Sequence, residues 1–228
     1  MVPKKFKTHV KEIENHANDC IILSLSTPED FTFKAGQFIT LYLKDKEKKL
    51  PRSYSILNPP SEEGIKLCIT LVKGGFASEI FKNLKLGEEL EAMGPLGNFT
   101  FDEEAKVDEH FFIGTGSGIV PLISMIKEYL TKLDKKFTLL SGHRYKEDLI
   151  LHKELQQLDK NNKNFTYIPT ITREEWDGKT GRVQIHLPKN LENKKFYICG
   201  LKEMVIETKD LLLEKGVNNK NISYERYN

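Results

Sequence analysis

The chain lacks a charge excess, metal-ligand spacing and any apolar run long enough for a bilayer. Its 35 Lys and Arg are set against 33 Asp and Glu over 228 residues, a net charge of +2. That excludes the clustered basic surplus of a nucleic-acid footprint. No stretch reaches the roughly 18 apolar residues of a membrane span. The start, Met1-Val2-Pro3-Lys4-Lys5-Phe6-Lys7, is basic with no apolar core behind it, so it does not read as a secretory leader. Cysteines are few, and Cys20, Cys68 and Cys199 form no Cys-x-x-Cys. Neither an iron–sulfur cluster nor a disulfide framework is expected. His9, His16, His110, His143, His152 and His186 show no ligand spacing, and no metal site is expected. The expected compartment is the cytoplasm.

What is present changes pattern near residue 105. A content of 39% hydrophobic and 30% charged residues suits a folded chain long enough for two ordinary domains. Up to Phe101, apolar residues recur at period two in Ile21-Leu23-Leu25, Ile39-Leu41-Leu43 and Ile65-Leu67-Ile69-Leu71. This predicts half-buried antiparallel strands. Gly36, Gly64, Gly87, Gly94 and Gly97, with Pro59, Pro60 and Pro95, read as turns between them. Phe76, Ile80, Phe81 and Leu84 keep helical spacing and predict one short helix. Asp102 to Glu109 reads as a solvated connector. Beyond it the elements alternate: strand Phe111–Ile113, helix Ile119–Leu133, strand Phe137–Leu140, helix Leu149–Leu158, strand Phe165–Ile171, strand Phe196–Cys199, helix Lys202–Lys215 and strand Tyr224–Tyr227. Gly216 is placed as a helix C-cap. Alternation of this kind predicts a parallel sheet with helices on both faces. The expected fold is an antiparallel Greek-key β-barrel over residues 1–102, then an α/β parallel-sheet nucleotide-binding domain over residues 108–228.

Two segments carry chemistry. In Pro51-Arg52-Ser53-Tyr54-Ser55, Arg52 offers a two-pronged donor for a diphosphate. Tyr54 offers a flat ring for an aromatic cofactor, and Ser55 a hydroxyl for a ring nitrogen. An ordinary strand with Tyr inside and Arg outside would read the same. Alternation puts Arg52 and Tyr54 on one face and Ser55 on the other. Lys73-Gly74-Gly75-Phe76-Ala77-Ser78 places glycines and a serine at a helix start, where backbone N–H groups and the helix dipole favour an anion. A plain turn, with Ser78 as a cap, is the alternative.

The second segment, Gly114-Thr115-Gly116-Ser117-Gly118-Ile119-Val120-Pro121, follows an apolar strand and opens a helix. In that context glycines let backbone approach a dinucleotide phosphate, and Pro121 fits a first helical turn. The sixth position of the common fingerprint is Ile119 rather than Gly, and the acidic residue expected about 20 residues on is absent. This argues against an ordinary dehydrogenase. Arg144, Arg173, Thr172 and Arg182 are candidates for holding a 2′-phosphate, which favours NADPH over NADH. Arg144 and Arg173 read equally well as surface loop residues. Cys199-Gly200 ends a strand where ligands bind in open α/β sheets, although a buried cysteine also serves as a small apolar filler.

Taken in order, these motifs resemble the ferredoxin–NADP reductase superfamily, from about Lys5 to Asn228. Arg52-Ser53-Tyr54-Ser55 is similar to its flavin motif and Gly74-Gly75-Phe76-Ala77-Ser78 to its diphosphate motif. Gly94-Pro95-Leu96-Gly97-Asn98-Phe99 is similar to its barrel-closing segment. Gly114 to Pro121 matches its pyridine-nucleotide turn, and Tyr197-Ile198-Cys199-Gly200 with Met204 its nicotinamide side. Tyr224-Glu225-Arg226-Tyr227 resembles the aromatic-bearing terminus. Thr170 to Glu174 with Gly181-Arg182-Val183 resembles the bacterial ferredoxin/flavodoxin–NADP reductases.

The resemblance implies FAD and NADP(H), with NAD(H) an alternative, and hydride transfer to flavin N5. It implies catalytic roles for Ser55, Cys199, Glu225 and Tyr227, and a ferredoxin or flavodoxin as electron partner. The protein is expected to be a monomer or weak dimer, with no nucleic-acid partner and no membrane span. A reductase component of an oxygenase, a free-flavin reductase, and an electron-relay or nucleotide-sensing subunit are the rival readings. The lysines at the start and in residues 44–49 would meet an acidic carrier, or form only a solvated hairpin tip.

Overall fold

The structure, a computed structural model, describes residues 2–16, 19–45 and 48–227. Lys46 and Glu47 of the lysine hairpin tip lie outside the described residues. The chain divides into two units, residues 1–101 with 123–128, and residues 102–122 with 129–228.

The first unit holds β1 (Lys4–His16), β2 (Cys20–Leu25), β3 (Phe38–Asp45), β4 (Lys48–Ser55), β5 (Ile65–Thr70), α1 (Phe76–Asn83) and β6 (Glu89–Leu96). The strands run antiparallel in the order β4-β3-β6-β1-β2-β5. Ile56 bridges Leu67, and Leu57 N–H donates to the Lys66 carbonyl at 2.8 Å. These contacts join β5 to the end of β4 and close the barrel. The period-two apolar sets fill its interior: Leu23, Ile39, Leu41 and Leu67 are fully buried. Burial of each such side chain contributes about 1.5–3 kcal/mol.

Two strands were not expected. β1 alternates charged residues with few apolar ones, and only Thr8 and Val10 are buried along it. β6 contains Gly94 and Pro95, which were expected in a turn. Gly94 instead pairs opposite Lys4 inside the strand, and a Cβ there would lie 2.7 Å from Ile39 Cγ2. The glycine serves close strand packing rather than a bend.

The second unit holds β7 (Glu109–Thr115), the two ends of α2 (Ile119–Tyr129), whose residues 123–128 group with the first unit, β8 (Lys136–His143), α3 (His152–Asn161), β9 (Phe165–Ile171), β10 (Lys179–Thr180), β11 (Lys194–Leu201), α4 (Lys202–Glu214) and β12 (Ile222–Tyr227). All six strands are parallel, in the order β10-β9-β8-β7-β11-β12. From β7 the chain winds outward through β8 and β9, then returns to β11 on the other side of β7. The strand order therefore reverses between β7 and β11. Phe112, Phe137 and Tyr197 stack across neighbouring strands, with Phe112 and Tyr197 centroids 4.9 Å apart.

Two expectations need correction here. α2 ends at Tyr129 rather than Leu133, because the amides of Lys132 and Leu133 both turn back to the Tyr129 carbonyl. α3 starts at His152 rather than Leu149. Leu151 is left-handed at φ 52°, and Leu149, Ile150 and Leu151 are buried as a non-helical run. The connector is a loop exposed at Glu103, Glu104, Lys106 and Asp108, but it is also pinned at Asp102 and Val107. Asp102 N–H donates to Tyr197 Oη at 3.1 Å, the Asp102 carboxylate meets Lys195 Nζ at 3.1 Å, and Val107 is buried. Among the described residues, no helix is long and apolar enough to cross a membrane.

Candidate active site

In the barrel, β4 presents the first segment. Arg52 lies opposite Leu41 and Tyr54 opposite Ile39, while Ser55 lies opposite Phe38 on the other face. The Arg52 side chain is exposed and donates through Nη1 to the Pro51 carbonyl at 2.8 Å. Tyr54 is half-buried and packs edge-on against Phe81 of α1, with centroids 5.6 Å apart. Burial pushes its hydroxyl up to about 12, against a smaller opposing pull from Arg52. It stays a neutral ring at physiological pH. The Ser53 hydroxyl is within 3.0 Å of Thr40 Oγ1, a tie to β3.

The diphosphate motif forms a turn from Val72 to Gly75, closed by Gly75 N–H to the Val72 carbonyl at 2.9 Å. Gly74 occupies φ 71°, and a Cβ there would meet nothing within 4 Å. That open left-handed position is where a glycine is required. Gly75 is the N-cap of α1, and no side chain caps the helix. The amides of Phe76 and Ala77 at the first turn of α1 therefore have no side-chain cap. Ser78 was expected as a phosphate contact or a cap. It is buried, and its Oγ accepts the Val72 N–H at 2.7 Å, so it braces the turn.

In the second unit, Gly114 is the penultimate residue of β7, Gly116 to Gly118 make a single 3₁₀ turn, and Pro121 sits in the first turn of α2. Gly118 packs on the end of β11: a Cβ there would lie 2.4 Å from the Cys199 carbonyl oxygen and 2.5 Å from Gly200 Cα. Gly200, at φ 148°, has no room either, since a Cβ would come 2.5 Å from Thr115 Oγ1 and 2.9 Å from Met204 Cε. The turn after β7 and the end of β11 thus touch where the strand order reverses. Thr115 Oγ1 is buried there with no hydrogen-bond partner among the described residues. Gly116 is open, with nothing within 4 Å of a would-be Cβ, and Ser117 is half-buried beside it.

Cys199 lies between Gly114 on β7 and Glu225 on β12 in the sheet register. Burial pushes its thiol well above the ordinary range, the Glu225 charge adds to this, and a hydrogen bond from the Tyr227 side chain partly opposes it. Cys199 is therefore a neutral thiol. Glu225 is half-buried, and burial raises its carboxyl to about 7. The stability it contributes is full below the unfolded value near 4.5 and is lost as pH rises through about 7. Relative to Glu225→Gln, the wild-type protein is expected to lose about 2 kcal/mol over that window, allowing for its partial exposure. Urea midpoints taken along the pH range measure this, and parallel curves would show that the carboxyl is not held neutral.

At the neighbouring strand ends, Arg173 N–H donates to the Arg144 carbonyl at 3.0 Å, which sets two exposed arginines side by side. The Thr172 hydroxyl turns inward to the His143 carbonyl at 3.2 Å. Arg182 is exposed and paired with Glu207 at 3.3 Å. Of the expected 2′-phosphate group, the structure brings Arg144 and Arg173 together and gives Thr172 and Arg182 other partners. The sequence reading passed over His143 as a site residue. It is buried at the same strand end, and its pKa falls to about 4 through burial, with the Asp148 charge opposing. Its place between Gly142 and Arg144 was the only signal.

The residues present fit two bound dinucleotides: an uncapped helix start and an exposed Arg in one unit, an unpartnered buried hydroxyl and an open glycine turn in the other. Comparisons agree. Residues 7–101 match the oxidoreductase FAD-binding domain family, and residues 112–210 the oxidoreductase NAD-binding domain family. The chain is 34% identical over 211 residues to ferredoxin–NADP reductase B of Sorangium cellulosum, covering 86% of each. It is 30% identical over 216 residues to the phenol 2-monooxygenase reductase component DmpP of Pseudomonas, covering 90% of this chain but only 60% of that one. A ferredoxin–NADP+ reductase structure from Neisseria gonorrhoeae with bound FAD and NADP superposes with a TM-score of 0.86 at 23% identity, over 98% of each chain. Fold and site together define a flavin- and nicotinamide-dependent oxidoreductase with an antiparallel barrel and a parallel α/β domain. The chain belongs to the ferredoxin–NADP reductase superfamily.

Proposed function

We propose that the protein takes reducing equivalents from NADPH and delivers them to a ferredoxin- or flavodoxin-like carrier. The observation that carries this is the contact of the Gly114–Gly118 turn with Cys199-Gly200 at the point of strand reversal, where open α/β sheets bind their ligands. When bound, the two dinucleotides supply the chemistry, a hydride passing from nicotinamide to flavin and electrons onward from there.

The chain's residues supply position and charge. Arg52 and the first-turn amides of α1 hold the flavin diphosphate, Tyr54 packs its flat face against the cofactor, and Ser55 offers a hydroxyl to flavin N5. Gly114 to Gly118 admit the second diphosphate, with Thr115 Oγ1 as a donor to it. Cys199 and Tyr227 shape the nicotinamide side as neutral groups. Glu225 holds a proton there near neutral pH. Arg144 and Arg173 favour the 2′-phosphate.

The likeness to the phenol monooxygenase component supports a second reading, a reductase serving an oxygenase. That relative is longer, with this chain spanning 60% of it.

The test is anaerobic stopped-flow bleaching of the FAD-loaded protein by NADPH and NADH. No bleaching with either would sink the proposal. Arg173→Ala is expected to lower kcat/KM for NADPH by about 1.5–3 kcal/mol and leave NADH unchanged. An equal loss for both dinucleotides removes Arg173 from the phosphate site. Reduction of ferredoxin by the isolated chain, against reduction only in the presence of an oxygenase, separates the two partner readings.

A further inference from the structure

Cys20 and Cys68 are remote in sequence, yet the barrel places them together. β2 and β5 pair so that Cys20 faces Thr70 and Ile22 faces Cys68. The two cysteines therefore share a face on a diagonal, opposite to the face of Ile21, Leu23, Leu67 and Ile69 that fills the core. Both thiols are unbonded and buried, and their sulfurs are 3.0 Å apart. An S–S bond of about 2.05 Å lies one side-chain rotation and a small strand shift away. The right-handed twist of adjacent strands brings one set of diagonals together in this manner.

The pair lies at the root of the diphosphate turn. β5 ends at Thr70, two residues after Cys68, and the chain continues through Leu71 into Val72; Leu71 N–H donates to the Asp19 carbonyl at 2.5 Å, next to Cys20. We propose that Cys20 and Cys68 are a redox-modification site, a buried dithiol that hydrogen peroxide closes to a disulfide across β2 and β5. The two are not equivalent. The hydrogen bond from Cys68 lowers the Cys20 pKa, while the same bond and burial raise that of Cys68. Cys20 is thus the attacking sulfur, since the thiolate is the nucleophile.

Cys20 attacks peroxide, an S–O bond forms and the O–O bond breaks. The departing hydroxide leaves as water with the proton that Cys20 gave up. The Cys68 sulfur then displaces the sulfenic oxygen of Cys20. An S–S bond forms, the S–O bond breaks, and the oxygen leaves as a second water with the Cys68 proton. The dithiol loses two electrons and peroxide gains them. An external dithiol reverses the reaction by exchange.

The experiment treats the FAD-loaded full chain with hydrogen peroxide, denatures it under alkylating conditions and maps its peptides. The expected result is a linked Cys20–Cys68 peptide pair, Cys199 recovered as the alkylatable thiol, and full reversal by dithiothreitol. Thermal midpoints should rise by several degrees on oxidation, because the cross-link closes a loop of 48 residues in the unfolded chain. That rise should be absent in Cys68→Ser. Three alkylatable thiols after treatment, a cross-link through Cys199, or Cys20 recovered as sulfinic acid with Cys68 intact would each overturn the proposal. Should Cys68→Ser fail to fold, the wild-type peptide map decides alone.

Discussion

Gly118→Ala is expected to slow flavin bleaching by NADPH about 100-fold and to lower stability by about 2–3 kcal/mol. The cause is local. The added methyl would sit 2.4 Å from the Cys199 carbonyl oxygen and 2.5 Å from Gly200 Cα. Both are backbone atoms, so no side-chain rotation relieves the clash, and overpacking of this kind costs about 1–3 kcal/mol. The end of β11 must move away from the start of α2. A displacement near 1 Å in a binding constellation costs on the order of 10²-fold in rate. The proposed FAD site on β4 and α1 contains none of these atoms. The variant should therefore keep its FAD and lose its response to NADPH and NADH alike. Gly116→Ala is the contrast. Its would-be Cβ meets nothing within 4 Å, so only the left-handed backbone at φ 52° opposes it, at about 1–2 kcal/mol. Bleaching in the Gly118 variant at the wild-type rate would show that the loop contact does not position the nicotinamide.

That contact was only partly legible in the sequence. The strand, glycine turn and helix around Gly114 to Pro121 were expected where they occur, because a helix-period apolar run after an apolar strand has few alternatives. The reason for the third glycine was not legible. Gly118 is demanded by Cys199 and Gly200, which come from β11, far along the chain, and no local rule encodes a packing partner at that distance. The same limit hid β1. Its alternation is nearly all charged on one face with Thr8 and Val10 as buried points on the other, so hydrophobic periodicity carried little signal while the tertiary pairing to β2 and β6 was decisive.

The pinning of the connector at Asp102 was not legible for a related reason. Five acidic residues between Asp102 and Glu109 suggest solvent, but Lys195 and Tyr197 on β11 supply the ion pair and hydrogen bond that hold its start. Among the arginines, residue type was informative and partner was not. Arg182 had the chemistry for a phosphate, yet Glu207 on α4 pairs with it.

Arg52→Ala is expected to weaken FAD binding by about 3–6 kcal/mol, a loss of two charge-assisted hydrogen bonds at roughly 1.5–3 kcal/mol each. The argument rests on how little the protein itself asks of this side chain. Arg52 is exposed on β4, and its guanidinium donates a hydrogen bond to the neighbouring Pro51 carbonyl. Truncating it should leave the barrel standing, since Leu41 opposite it is already fully buried and an exposed substitution away from special features changes stability by about 0.5 kcal/mol or less. The variant should therefore purify folded but pale, with a normal thermal midpoint for the protein without flavin and a raised Kd when FAD is added back. Arg52→Lys should recover only part of the loss, because a point charge does not reproduce the paired donors of a guanidinium. Flavin titration by fluorescence separates the outcomes: full recovery by lysine would reduce the role of Arg52 to bulk charge, and an unchanged Kd in the alanine variant would move the diphosphate away from β4.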